Sequence, residues 1–120
     1  MKYYRIYSLE NGETRNEFLP YDLKTNDFIK GTPSFPMADM GAAKTLKVAS
    51  VASGWDGGWH PTPLKQWCVT LSGSATMETS DKKVIELKGG VAVLLDDTFG
   101  TGHHTTVVGD DDWCSMLVAV

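Results

Sequence analysis

The chain carries only 2 cysteines, Cys68 and Cys114, among 120 residues. They are too few and too far apart for a disulfide framework or a zinc site. Both lie in apolar, strand-like runs, where a cysteine acts as a small buried hydrophobe. Whether folding brings the two together stays open. Basic runs are absent: 11 Lys and Arg stand against 15 Asp and Glu, for a net charge of −4. Nucleic acid and anionic membrane need clustered Lys and Arg, so neither is an expected partner. The acidic run Asp110-Asp111-Asp112 reads as a solvated turn. No apolar stretch approaches the ~20 residues of a membrane span. The opening MKYYRIYSLE has one lysine but no apolar core behind it, so it is not a signal peptide. A cytoplasmic location is the default expectation. Repeats and low-complexity tracts are also missing, and one domain over residues 1–120 is expected.

Helical periodicity is missing too. What is present is a series of strand-length runs with turn signals every eight to twelve residues: KYYRIYSL before Asn11-Gly12, KTLKVASVAS, QWCVTLSG, SATMET, VIEL, GGVAVLLDD, HTTVVG and WCSMLVAV. This spacing predicts an all-β sandwich or barrel. Pro20, Pro33 and Pro36 punctuate residues 18–40, which are expected to form an irregular arm. The runs GGVAVLL and MLVAV are apolar without alternation, as in strands covered on both faces. A homodimer is one way to supply that cover.

The stretch GWHPTPLKQWCVTLSG holds the most specific pattern. Five residues separate Gly54 from His60, Thr62 follows one residue later, three more lead to Gln66, and six more to Gly73. These intervals resemble the first cupin motif, G-x(5)-H-x-H-x(3,4)-E-x(6)-G. A second part begins at Gly90, with Asp96 where that family has a proline and His103 two residues later than its histidine. WHPTP, Gln66, LSG and DDTFGTGHH together look like a group of small bacterial cupins. The resemblance spans about Lys44 to the C-terminus. It implies a cupin-type jelly-roll barrel of two antiparallel sheets, with an N-terminal strand and irregular arm over 1–43 and a core over 44–120, often dimeric.

In metal-binding cupins two histidines and a glutamate of the first motif and a histidine of the second hold a transition metal. Here His60 and His103 match two of these positions, while Thr62 and Gln66 replace a histidine and the glutamate. A carboxamide is a weak, neutral ligand and a hydroxyl weaker still. Two imidazoles and one amide fall below the usual three strong ligands. His104, Cys68, Asp56 and Asp97 are candidate additions. His103 and His104 should point to opposite faces, and the one facing inward is not decided by sequence. The cofactor is therefore either none or a single divalent transition metal on His60, Gln66 and His103.

Alternation places Gln66, Cys68 and Thr70 on the face of the expected site, opposite Trp67, Val69 and Leu71. Trp55, Trp59 and Phe99 stand beside the histidine segments, where aromatics can wall a small organic molecule. Thr62 and His104 complete the expected substrate contacts. The glycines of FGTGHH let a turn offer amide donors to a substrate oxygen. These residues suit three functions. The first is acid–base chemistry of isomerase, lyase or cyclase type, with His60 and His103 exchanging protons and Gln66 orienting substrate. The second is a metal-dependent dioxygenase or metal-assisted lyase. The third is a non-catalytic carrier or sensor of a small metabolite.

Overall fold

A computed structural model describes residues 1–120. It contains twelve strands and no helix: β1 (Lys2–Ser8), β2 (Thr14–Pro20), β3 (Lys24–Asn26), β4 (Phe35–Met37), β5 (Thr45–Val51), β6 (Asp56–His60), β7 (Gln66–Ser72), β8 (Ser74–Glu78), β9 (Val84–Leu87), β10 (Ala92–Asp96), β11 (His103–Val108) and β12 (Trp113–Ala119). No helix is therefore long and apolar enough to cross a membrane.

The strands form a six-stranded sheet in the order β2-β1-β10-β7-β12-β5, a four-stranded sheet in the order β6-β11-β8-β9, and a separate β3-β4 ribbon. The two large sheets face each other in a jelly-roll-like arrangement. All pairings are antiparallel except β1 with β10, where Tyr4 faces Val93 and Ile6 faces Leu95. Alternation decides which residues meet between the sheets. Ile85 and Leu87 of β9 are buried while Val84 and Glu86 are exposed. They join Ile6, Cys68, Ala75, Met77, Val93, Leu95, Val107 and Trp113 in one apolar core drawn from both sheets.

The N-terminal segment departs from the expected arm. β1 is an interior strand of the larger sheet, and Ile6 is fully buried. Regular pairing continues through β2 as far as Pro20, inside the stretch expected to be irregular. β2 lies at the sheet edge, where a proline without an N–H breaks no ladder. Irregularity is confined to the segment beyond β2: residues 22–36 are exposed throughout, the short β3 and most of β4 included. On the outer face of β7, Trp67 packs edge-on against Tyr3 at 5.0 Å, and Tyr3 meets Tyr21 at 4.9 Å. The N-terminal residues thus cover the outer face of the central strands. Farther out, Leu46 and Val48 of β5 remain exposed.

β1 also carries an ion-pair cluster. Arg5 donates to Asp96 from Nη2 at 2.7 Å and from Nε at 3.2 Å, and to Glu17 from Nη1 at 3.1 Å. The Asp96 carboxylate holds the guanidinium above its ordinary pKa. Strands β1, β2 and β10 are thereby tied beside the end of β10, next to Asp97.

Candidate functional site

His60 ends β6 and His103 begins β11, and the two are direct partners in that antiparallel pair. Cross-strand partners share a face, so both rings enter the barrel, with centroids 4.8 Å apart. The next pair, Trp59 with His104, takes the opposite face for the same reason. The bulge in this ladder falls after His104, so it leaves the alternation at the two histidines intact. Gly102 makes the close crossing possible. Its φ is +73°, and a Cβ there would overlap the backbone carbonyl of His60.

Both inward rings have a second attachment. The Nδ1 of His103 lies 2.7 Å from Oδ2 of Asp97, and the Nδ1 of His60 lies 3.1 Å from the carbonyl oxygen of Gly58. These acceptors select the Nδ1–H form of each ring and leave each Nε2 with its lone pair. Asp97 is fully buried, and its Oδ1 has no partner. Its backbone carbonyl accepts from the amide of Thr62 at 3.1 Å, which joins the two histidine-bearing segments. Thr62 in turn donates from Oγ1 to the carbonyl of Leu64 and accepts from Nε2 of Gln66 at 3.2 Å. The amide of Gln66 is therefore fixed, with one N–H and its oxygen left over.

His60, Thr62, Gln66 and His103 line a cavity of about 160 Å³ between the sheets. Val51, Met77, Leu95, Trp113 and Leu117 form most of its apolar wall, and Trp55 stands at the mouth, 44% exposed. Cys68 also lines it; burial pushes its thiol up to about 12 despite a hydrogen bond with Ser115. A larger groove of about 820 Å³ lies between the ribbon and Tyr3 and Tyr21. It contains neither histidine nor cysteine.

Of the residues picked out in the sequence, the structure gathers His60, Thr62, Gln66, Cys68 and His103 around this cavity. Thr70 is buried but accepts from the indole N–H of Trp113 at 3.1 Å and does not line the space. Trp59, Phe99 and His104 lie elsewhere. His104 Nε2 is 2.6 Å from Asp56 Oδ1 on the outer face, and its ring tilts against Trp59 at 5.5 Å. There Asp56 accepts from the amide of Gly58 and bonds His104, and both contacts lower its pKa. Phe99 is half-exposed, its carbonyl held by Ser8. In the FGTGHH turn, expected to offer amide donors, the amide of Thr101 is already spent on the carbonyl of Gly12 at 2.8 Å. The two cysteines are both free: Cys68 points inward, and Cys114 lies between the buried Trp113 and Ser115, facing out.

Asp97 has a role that the sequence pattern did not assign. The cupin-like spacing made it only a possible metal ligand, whereas it backs His103. Alternation along β10 contained the signal, since inward Val93 and Leu95 put Asp97 on the same side.

The donor set does not fit a tightly held divalent ion. No group of three or more His, Cys, Asp and Glu side chains converges. Asp97 is turned to His103, Gln66 offers only a neutral amide oxygen, and Cys68 keeps its proton although a thiolate is the ligating form. Two imidazoles and a weak amide oxygen remain, short of the three strong ligands of a catalytic site.

No protein-family model matches the chain, and no curated protein does. Among solved structures, it is similar to a conserved protein of unknown function from Streptococcus pyogenes, at 23% identity and a TM-score of 0.46 over 62% of this chain and 61% of that one. The chain thus spans less than two-thirds of that protein. A cupin-2 domain containing protein from Shewanella frigidimarina is similar at 16% identity, TM-score 0.47, over 68% and 72% of the two chains. An RmlC-like cupin protein from Desulfovibrio desulfuricans is similar at 12% identity, TM-score 0.41, over 80% and 95%. Identity this low transfers no residue role to this chain.

Proposed function

We propose that this cupin-like barrel is a small-molecule enzyme of isomerase or lyase type, working by proton transfer without a metal. The observation that carries this reading is the buried Asp97–His103 pair, with His60 facing it across 4.8 Å between ring centroids. A carboxylate behind an imidazole fixes its tautomer and orientation, and it stabilises positive charge that arrives on the ring. His103 Nε2 takes a proton from a carbon next to a carbonyl. The proton taken by His103 is returned from its Nε2 to the neighbouring position or to the oxygen, directly or by way of the Nε2 lone pair of His60, which Gly58 orients. The free N–H of Gln66 donates to the oxygen on which charge develops, held in place by Thr62. Each part uses a lone pair or N–H that the hydrogen-bond pattern leaves available.

The test is solvent exchange. Cyclohexanone is incubated with the protein in deuterium oxide, and loss of its α-C–H signals is followed by NMR. The expected result is exchange above the buffer rate, unchanged by EDTA and removed by His103→Asn and by His60→Ala. Exchange that stops with EDTA and returns with a divalent metal would favour the metal-dependent reading. Saturable binding of the ketone with exchange at the buffer rate would make the protein a carrier.

A further inference from the structure

We infer that the ligand of the barrel cavity is an uncharged molecule of about one six-membered ring, carrying a single oxygen function, and that Trp55 sets its size limit. This rests on the reading of that cavity as the reacting site. It adds the substrate class, which the acid–base groups alone do not specify.

Charge is the first argument. None of the 14 lining residues is Lys, Arg, Asp or Glu. Asp97 lies behind His103, and a proton gained by that ring makes a pair of zero net charge. A ligand carboxylate would be buried with no fixed cation opposite it, and a ligand ammonium with no free anion. Burying an ion without a partner costs far more than burying a carbonyl that receives a hydrogen bond. Lys65, the chain neighbour of Gln66, does not line the cavity and is drawn to Asp96 at 3.6 Å.

Size is the second. The cavity measures about 160 Å³. An apolar protein cavity of about 150 Å³ takes a benzene-sized guest. Eight of the 14 lining residues are hydrophobic, and the polar ones are His60, Thr62, Gln66, His103, Thr105 and Ser115, all uncharged types save the two imidazoles. A guest with one oxygen function meets one of these polar groups and presents hydrocarbon to Leu117 and Met77.

The third is the seat of Trp55. Its ring reaches the region of His60 because residue 57 is glycine. A Cβ at Gly57 would overlap the Trp55 ring and come within 3.2 Å of Cε1 of His60. The backbone of Trp55 is fixed on both sides, its N–H to Ala52 and its carbonyl to the amide of Val107. The indole is therefore held as a wall at the mouth, and a longer ligand must displace it.

The experiment is calorimetric titration of the full chain with non-aromatic probes: cyclohexanone, cyclohexanol, cyclohexanecarboxylate, cyclohexylammonium and the two-ring 2-decalone. Cyclohexanone and cyclohexanol should bind saturably at one site. The carboxylate and the ammonium should bind at least about tenfold more weakly, a difference of about 1.4 kcal/mol. Decalone should be rejected by the wild type and accepted by Trp55→Ala, a change at an exposed side chain that spares the core. Gly57→Ala should weaken cyclohexanone by displacing the indole. Equal binding of carboxylate and ketone, decalone binding to the wild type, or no binding of any neutral probe would each overturn the inference. The two readings fail separately. His103→Asn should still bind cyclohexanone, so ketone binding without deuterium exchange removes the chemistry but leaves the ligand class. Exchange confined to charged or two-ring ketones does the reverse.

Discussion

Asp97 and His103 meet at 2.7 Å, and neither is more than 2% exposed. A charge-assisted bond of this kind is worth more than a neutral one, and removing one partner leaves the other buried and unsatisfied. Asp97→Ala is expected to cost about 2–3 kcal/mol in urea unfolding. Asp97→Asn should cost less, because volume and one hydrogen bond remain, but it should move the His103 proton from Nδ1 to Nε2. Nitrogen NMR of the imidazoles reads that tautomer directly. Wild-type stability in Asp97→Ala with an unchanged tautomer in Asp97→Asn would remove Asp97 from the positioning role.

Gly102 is where the two histidine segments cross. A side chain there meets both an unfavourable φ of +73° and the His60 carbonyl. Gly102→Ala should cost about 3 kcal/mol, combining left-handed strain with overpacking. The same variant should bind cyclohexanone poorly, since His60 must shift. Gly109→Ala is the control: its φ is also positive, at +82°, but its Cβ would meet nothing, so it should cost less and leave binding intact.

The cysteines should differ in reactivity. Cys68 is 1% exposed with its thiol raised from 9.0 to about 12, whereas Cys114 lies half-buried on the outer face. One thiol should react promptly with a disulfide reagent at neutral pH and the second only on unfolding. Rapid reaction of both would contradict the buried position of Cys68. The same shift has a signed effect on stability. Below pH 9 both folded and unfolded thiols keep the proton, and pH has no effect through this group. Between pH 9 and about 12 the unfolded thiol loses its proton while the folded one keeps it, so stability falls by up to about 1.4 kcal/mol per unit. Cys68→Ala should show a shallower loss across that window than the wild type.

Ile6 tests whether the first strand belongs to the core. It is 0% exposed and packs with residues of both sheets. Ile6→Ala should cost about 2–5 kcal/mol, the range for a large-to-small change at a buried site. Leu46→Ala, at a position 66% exposed, should stay within about 0.5 kcal/mol. Similar small effects at both sites would mean that β1 is peripheral.

Local signals were legible in the sequence, and long-range ones were not. On β7, Gln66, Cys68 and Thr70 obey a period of two that is local to the strand, and all three point inward. The spacing from Gly54 to Gly73, together with the second part that begins at Gly90, likewise pointed to His60 and His103. Phe99 depends on how a turn is seated, which no short window contains, whereas the outward places of Trp59 and His104 follow from alternation once His60 and His103 face inward. The walls supplied by Val51, Met77 and Leu117 come from β5, β8 and β12, and only sheet packing brings them together. Three prolines made residues 18–40 look uniformly irregular, but edge pairing with β1 tolerates Pro20.

The parallel pairing of β1 with β10 has a consequence for how the molecule forms. Tyr4 finds its partner at Val93, so β1 gains its second neighbour, the one that joins it to the rest of the sheet, only once the distant β10 is in place. Closing so long a loop is entropically unfavourable until other contacts have shortened it. The β1–β2 hairpin therefore docks late, and with it Gly12, whose carbonyl braces Thr101 beside the histidines. In refolding kinetics, Ile6→Ala should mainly accelerate unfolding and leave the folding rate nearly unchanged, whereas Leu95→Ala on β10 should slow folding. The order of events would run from the barrel outward to the β1–β2 hairpin, with the turn at Thr101 the last to be braced.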